Sequence, residues 1–297
     1  MSEDLEPLLE RARTGDRDSL ERLVEQIQGP VYSLALRMLW HPEDARDATQ
    51  DILIRVITHL GSFRGDSRVQ TWVYRVAANY LISARQGRVE AQGYTFDRFA
   101  NDLHDGLAEA GDQGEWPADK ALLLEEVKVG CMHGLLTCLD RSHRLAYILG
   151  EILEMDGVEG ANILNISPAA FRKRLSRARE AVIEFTRAHC GLVDPANACR
   201  CGRRLPRAQA MKRVDADALL FADEESARSF PATLDRVRRL DVVRRTAALY
   251  RSSPQPLPGQ ELLDCIRAAL ECPRPEPRTA PSRRVVSTAA RERHRNH

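Results

Sequence analysis

The chain has 297 residues, with 44 Lys and Arg against 43 Asp and Glu for a net charge of +1, and it is 43% apolar and 5% aromatic. That length exceeds the roughly 100–200 residues of one domain, and so few aromatics argue against large β-sandwiches, which leaves two or three helical units. No stretch approaches the roughly 18 continuous apolar residues of a membrane span, and the acidic start MSEDLEPLLE lacks a basic, apolar leader pattern, so a cytoplasmic protein is expected.

Helical periodicity runs through residues 5–86, carried by Leu20, Leu23, Val24, Ile27, Val31, Leu34, Ala35 and Met38 and later by Ile52, Val56 and Leu60. Pro42 after His41 marks a helix start, and Gly61 after Leu60 reads as a stop. Asp44, Asp47, Gln50 and Asp51 then form an acidic and polar stripe at helical spacing, a face that either docks on a basic partner helix or is simply solvated. Ser67 is expected to cap a helix with Val69, Trp72, Val73, Val76 and Tyr80 on its apolar side. Trp72, Tyr74, Arg75, Asn79 and Tyr80 interleave aromatic rings with Arg and Asn, which suits unstacked single-stranded bases. Trp72 taken alone is more often a core residue.

Charge is segregated beyond this point. Between Val89 and Glu126 stand ten Asp and Glu against one Arg and one Lys, whereas Arg172 to Arg179 holds five basic residues and no acid. The Gly- and Asp-rich stretch 89–119 reads as a flexible acidic linker able to lie along basic DNA-binding surfaces. A second helical unit is expected over 120–187.

Its segment DGVEGANILNISPAAFRKRLSRARE has the layout of a helix-turn-helix. A short helix spans Val158 to Leu164, Asn165 tolerates left-handed backbone, and Ser167 followed by Pro168 supplies an N-cap and first helical position. Phe171, Leu175, Ala178 and Val182 form the apolar face of the second helix, with Arg172, Lys173, Arg174, Arg177 and Arg179 left for the other faces. Such a helix fits a major groove, Arg reaching guanine edges while its neighbours bind phosphate. A basic helix could also be a solvated surface helix; the cap, turn and preceding helix favour DNA.

The strings from His41 to Arg88 and from Leu139 to Arg179 together resemble the two conserved domains of extracytoplasmic-function (ECF) sigma factors of the sigma-70 family. The resemblance spans about residues 5–187. It implies an all-α fold: a first sigma domain over 5–88 that binds core RNA polymerase and melts the −10 element, and a helix-turn-helix domain over 120–187 that binds the double-stranded −35 element. By the same resemblance Asp44, Asp47, Gln50 and Asp51 match the polymerase-binding stripe, while Phe63, Arg64, Trp72, Arg75 and Asn79 match positions around the single-stranded −10 DNA. Arg172, Lys173, Arg174 and Arg177, with Arg179 beside them, match the −35 helix. An anti-sigma factor is a further partner that the family admits. Gly160 and Asn165 depart from the family pattern, and a glycine in a short helix predicts a less rigid motif, at about 1 kcal/mol relative to alanine.

Beyond this lie a Cys-containing helical extension over 188–272, with helices expected at about 207–222, 231–250 and 259–271, and a basic, Pro-bearing stretch over 273–297 expected to be disordered. Cys190, Cys199 and Cys201 beside His189 suit zinc or another soft metal. The same residues also read as buried packing thiols or as oxidation-prone ones. Cys131 and Cys138, seven apart, read as core. The extension is expected to regulate the two sigma domains. The competing function is a stand-alone helix-turn-helix regulator, which would have no use for the acidic stripe or the base-splaying helix; no catalytic constellation points to an enzyme.

Overall fold

The computed structural model describes residues 4–84, 93–105, 107, 120–254, 258, 262–264 and 267–268, and among these the regular structure is helical, with one isolated β-bridge and no sheet. The expected all-α class is what is found.

The first unit comprises α1 (Leu5–Arg13), α2 (Arg17–Leu39), α3 (Pro42–Thr58) and α4 (Val69–Ser83). Leu23, Ile27, Val31, Leu34 and Met38 of α2 are buried at the spacing the sequence predicts. Pro42 opens α3 at its first turn, with the His41 ring accepting from the Asp44 amide at 3.5 Å. Two expected boundaries differ. Helix α3 ends at Thr58, ahead of Gly61, and Leu60–Ser62 forms a short 3-10 turn. Ser67 does not cap α4: the N-cap is Arg68, without a side-chain bond, and the Val69 amide donates instead to Glu6 of α1 at 3.0 Å. An orphan amide at a helix start needs an acceptor from somewhere, and here a distant carboxylate supplies it.

The stretch expected to be a flexible linker holds a helix, α5 (Phe96–Asp105). Phe99 and Leu103 are buried on it, and the Phe99 ring lies 5.7 Å from that of Phe185. The described part of this acidic segment meets the extension, where Asp102 takes Arg213 at 2.5 Å and Arg204 at 3.4 Å, and not the run Arg172–Arg179.

The second unit contains α6 (Ala121–Leu136), α7 (Arg141–Tyr147) continuing into a π-helical turn at Ile148–Ile152, α8 (Gly157–Leu164) and α9 (Pro168–His189). The extension adds α10 (Cys201–Ala210), α11 (Glu224–Arg238) and α12 (Val242–Ser252). The helix expected over 207–222 is thus α10, earlier in the chain. The one expected over 231–250 is two helices, because Asp241 accepts from the Arg244 amide at 3.1 Å and starts a new one. Of 259–271 only 262–264 and 267–268 are described, all helical, with Leu262 buried; the rest of that range and the expected disordered stretch 273–297 lie outside the described residues.

Both units and the extension share one continuous hydrophobic core, from Leu34 and Val73 through Phe99, Leu145 and Phe171 to Phe230 and Tyr250. Arg144, 2% exposed, fastens the joint: it donates to the carbonyls of Leu136 (2.9 Å), Thr137 (3.1 Å) and Leu139 (2.8 Å) and to that of Met38 on α2. Trp40, which ends α2 in left-handed backbone at φ 53°, lies against Gly134 of α6, where a Cβ would come within 2.7 Å of its ring.

Candidate nucleic-acid interface

The helix-turn-helix forms as its local chemistry dictates. Asp156 caps α8 by accepting from the amides of Val158 and Glu159 at 2.8 Å each. Asn165 turns the chain at φ 52° and ψ 48°, and Ser167 caps α9 by accepting from Ala170 at 3.2 Å, with Pro168 in the first turn. Phe171, Ala178 and Val182 are fully buried. Gly160, expected to loosen the motif, does the opposite: a Cβ there would meet the Phe171 ring at 2.3 Å, so only glycine lets α8 and α9 close together.

On the far side of α9, Arg172, Lys173 and Arg177 are exposed and Arg174 is half-buried. Arg179 is exposed too, but its guanidinium is tied to Glu151 at 2.5 Å, and Arg251 of α12 reaches the same carboxylate at 3.4 Å. The five basic residues therefore share a helix, while one of them is held by an internal ion pair.

The residues matched to −10 DNA surround α4 unevenly. Phe63 is buried and packs edge-on against the half-buried Trp72, centroids 5.6 Å apart. Arg64 and Asn79 are exposed. Arg75 donates to the Asn162 carbonyl at 3.0 Å, and beside it Thr71 donates to Glu159 at 2.8 Å. Helix α8 thus covers one side of α4, an arrangement between units that no local pattern could signal.

The acidic stripe keeps access to solvent. Asp47 and Asp51 are exposed on α3, whereas Asp44 and Gln50 are half-buried. Asp51 accepts from the Tyr80 hydroxyl at 2.7 Å, and burial together with that bond pushes the Tyr80 pKa up to about 12.

The extension is anchored on α6. Both carboxylate oxygens of Glu126 accept from the amides of Leu220, Phe221 and Ala222 at 2.8 Å each, and Tyr250 donates to the Met132 carbonyl at 2.8 Å. Lys128, 1% exposed, is paired with Glu125 at 2.5 Å and stands 4.1 Å from the centre of the Phe230 ring.

Of the sulfur and imidazole set expected from sequence, Cys190 and Cys199 face one another across the isolated bridge and Cys201 opens α10. His189 points elsewhere, its ring 3.1 Å from that of His104, so the expected fourth ligand is not with the sulfurs. Cys131, assigned to the core, stands with them around one cavity; Cys138 does not line it. Burial raises all four thiol pKa values, to about 12 for Cys199. This disfavours a readily oxidised thiolate. Among the described residues no group of three or more His, Cys, Asp or Glu is placed to hold a metal ion, and no helix is long and apolar enough to cross a membrane.

Residues 23–89 match the family described as Sigma-70 region 2. The chain is 32% identical over 188 residues to the ECF RNA polymerase sigma-E factor of Escherichia coli, covering 61% of this chain and 95% of that one. It is 28% identical over 179 residues to the RNA polymerase sigma-H factor of Pseudomonas aeruginosa, covering 59% and 90%. Among solved structures, the sigma factor RpoE in complex with the anti-sigma factor NepR from Bartonella quintana aligns with 55% of this chain and 94% of that one, at 18% identity and a TM-score of 0.37. Two helical units in this order, the second ending in a helix-turn-helix, are those of a transcription initiation factor of the sigma-70 class. Within that class the chain belongs to the ECF sigma factors.

Proposed function

We propose that this protein binds core RNA polymerase through the α3 stripe of Asp44, Asp47, Gln50 and Asp51 and directs it to promoters. Arg64, Trp72, Arg75 and Asn79 hold the melted −10 strand, with Phe63 supporting Trp72 from beneath. The exposed Arg172, Lys173 and Arg177, with Arg174, enter the −35 major groove. The extension modulates this activity from its seat on α6 and α9. The reading needs no cofactor and no catalytic residue, and it places the protein's work in the cytoplasm with RNA polymerase. An anti-sigma factor would compete for the faces that polymerase otherwise takes.

One observation carries the reading. A single chain exposes Asp47 and Asp51 on α3 and Arg172, Lys173 and Arg177 on α9, the two opposite charges that docking on a polymerase and docking on duplex DNA require. Because α8 covers part of α4, productive binding also requires those two helices to part, and polymerase binding supplies the free energy for it.

Reconstitution tests the proposal. Core RNA polymerase with this protein should start run-off transcription at defined promoters, and Asp47→Arg should abolish it while leaving duplex binding by the helix-turn-helix intact. A chain that binds promoter fragments but never the core enzyme is a stand-alone regulator, and the proposal fails.

A further inference from the structure

A cavity of about 550 Å³ opens where α5, α6 and α9 meet the extension, and Trp40, His41 and Pro42 of the first unit also line it. Small-molecule sites typically enclose about 300–1,000 Å³, so the space is of a size to hold one. Most of its wall is apolar, with Phe99, Met132, Leu135, Phe185, Phe221 and Leu249 contributing. The thiols of Cys131, Cys190, Cys199 and Cys201 belong to the same wall. Burial raises their pKa values, so they stay uncharged and add to its apolar character.

A cationic pole stands against this wall. Arg204 and Arg213 line the cavity, their side chains 7% and 22% exposed, and share the one carboxylate of Asp102, Arg213 at 2.5 Å and Arg204 at 3.4 Å. Arg213 also donates to the Tyr94 hydroxyl at 2.6 Å, and Arg204 to the carbonyl of Asp102 at 2.7 Å. A guanidinium has five N–H donors in a fixed fork, so each has capacity for a further acceptor. The other carboxylate of the lining, Glu126, is engaged by the amides of Leu220, Phe221 and Ala222. Two guanidiniums on one carboxylate carry a surplus of positive charge, and in a pocket with apolar walls that surplus attracts an anion more strongly than it would in water.

We propose that this cavity binds one small apolar acid, its carboxylate held by Arg204 and Arg213 and its hydrocarbon body lying among Phe99, Leu135, Phe185 and Leu249. The planar fork of arginine matches a carboxylate bidentately. A cation would be repelled by the same two groups, and a sugar-like polyol would leave its hydroxyls against the apolar wall without partners. Since α6 and α9 supply one part of the wall and α10 and α12 another, the acid fills the seam between the second helical unit and the extension. It therefore stabilises the folded chain in proportion to its occupancy.

The test titrates the full chain by calorimetry with decanoate and with 2-naphthoate, which carry the same carboxylate on an extended and on a planar body. It needs neither polymerase nor DNA, so its outcome is separate from that of the sigma-factor reading. Saturation at one acid per chain is expected for at least one of the two, with a thermal midpoint that rises with its concentration. The matching alcohol, decanol or 2-naphthol, should bind at least about tenfold more weakly, as should the acid to Arg213→Gln. Asp102→Asn removes the competing carboxylate and should tighten the acid severalfold while leaving the alcohol unchanged; a damaged fold would weaken both, so this variant separates recognition from stability. No saturable binding of either acid, an alcohol that binds as tightly as its acid, an Arg213→Gln chain that binds like the parent, or an Asp102→Asn chain that binds the acid no better, overturns the proposal.

Discussion

Arg75 of α4 donates to the main-chain carbonyl of Asn162 on α8 at 3.0 Å, so the helix assigned to the −10 strand is fastened to the first helix of the helix-turn-helix. Thr71 and Glu159 add a second bond at 2.8 Å. On the proposed reading, a −10 strand and α8 would compete for one face of α4. Glu159→Ala removes one of the two bonds, worth about 1 kcal/mol, and should raise the free chain's affinity for a single-stranded −10 oligonucleotide about fivefold by fluorescence anisotropy. Unchanged affinity would show that α8 does not restrain this face.

Gly160→Ala tests the packing of the helix-turn-helix. Alanine should gain about 1 kcal/mol of helix propensity, but its Cβ would collide with the fully buried Phe171 ring, and overpacking costs about 1–3 kcal/mol. A net fall in thermal midpoint is expected, with Phe171→Leu restoring part of it in the double variant. A rise in midpoint would mean that the ring yields freely.

Asp140 links stability to pH. Burial pushes its pKa up, but the His143 amide, the Ser142 hydroxyl and the His143 ring outweigh it and hold the carboxyl at about 2. A carboxylate depressed below its unfolded value stabilises the fold fully above about pH 4, and that stabilisation disappears as pH falls through about 2. Asp140→Ala should cost about 1 kcal/mol at neutral pH, as an N-cap lost from α7. Its stability curve should converge with the parent's in acid denaturation, and a constant offset down to pH 2 would contradict the assignment.

The basic residues of α9 should not be equivalent. Arg172→Ala and Lys173→Ala should each weaken binding to a −35 duplex and flatten its dependence on salt by about one counterion. Arg179→Ala should do less, because that guanidinium is engaged by Glu151. Equal salt slopes for all three variants would place Arg179 on the phosphate backbone as well.

Arg144 should behave as a fastener. Arg144→Met leaves buried carbonyls of α2, of α6 and of the turn after it without their donor, a cost of about 3 kcal/mol or more. Arg144→Lys should not rescue it, since an ammonium cannot reproduce the planar fork. Urea midpoints of the two variants provide the check.

The helix-turn-helix could be found in the one-dimensional chain because its determinants are local: Ser167, Pro168 and Asn165 act within a few residues, and Phe171, Ala178 and Val182 repeat with the helical period. The acidic stripe of α3 and the apolar face of α2 were legible for the same reason. Helix α5 escaped notice because its buried pair, Phe99 and Leu103, is surrounded by acid and glycine, and its partners Phe185, Arg204 and Arg213 lie far along the chain. Glu6 in place of Ser67 at the start of α4, the fit of Gly160 to Phe171, and the company that Cys131 keeps with Cys190, Cys199 and Cys201 were decided only by the tertiary structure. Backbone propensity and capping act between near neighbours in sequence, whereas close packing and charge pairing depend on which distant segments the folded core brings into contact.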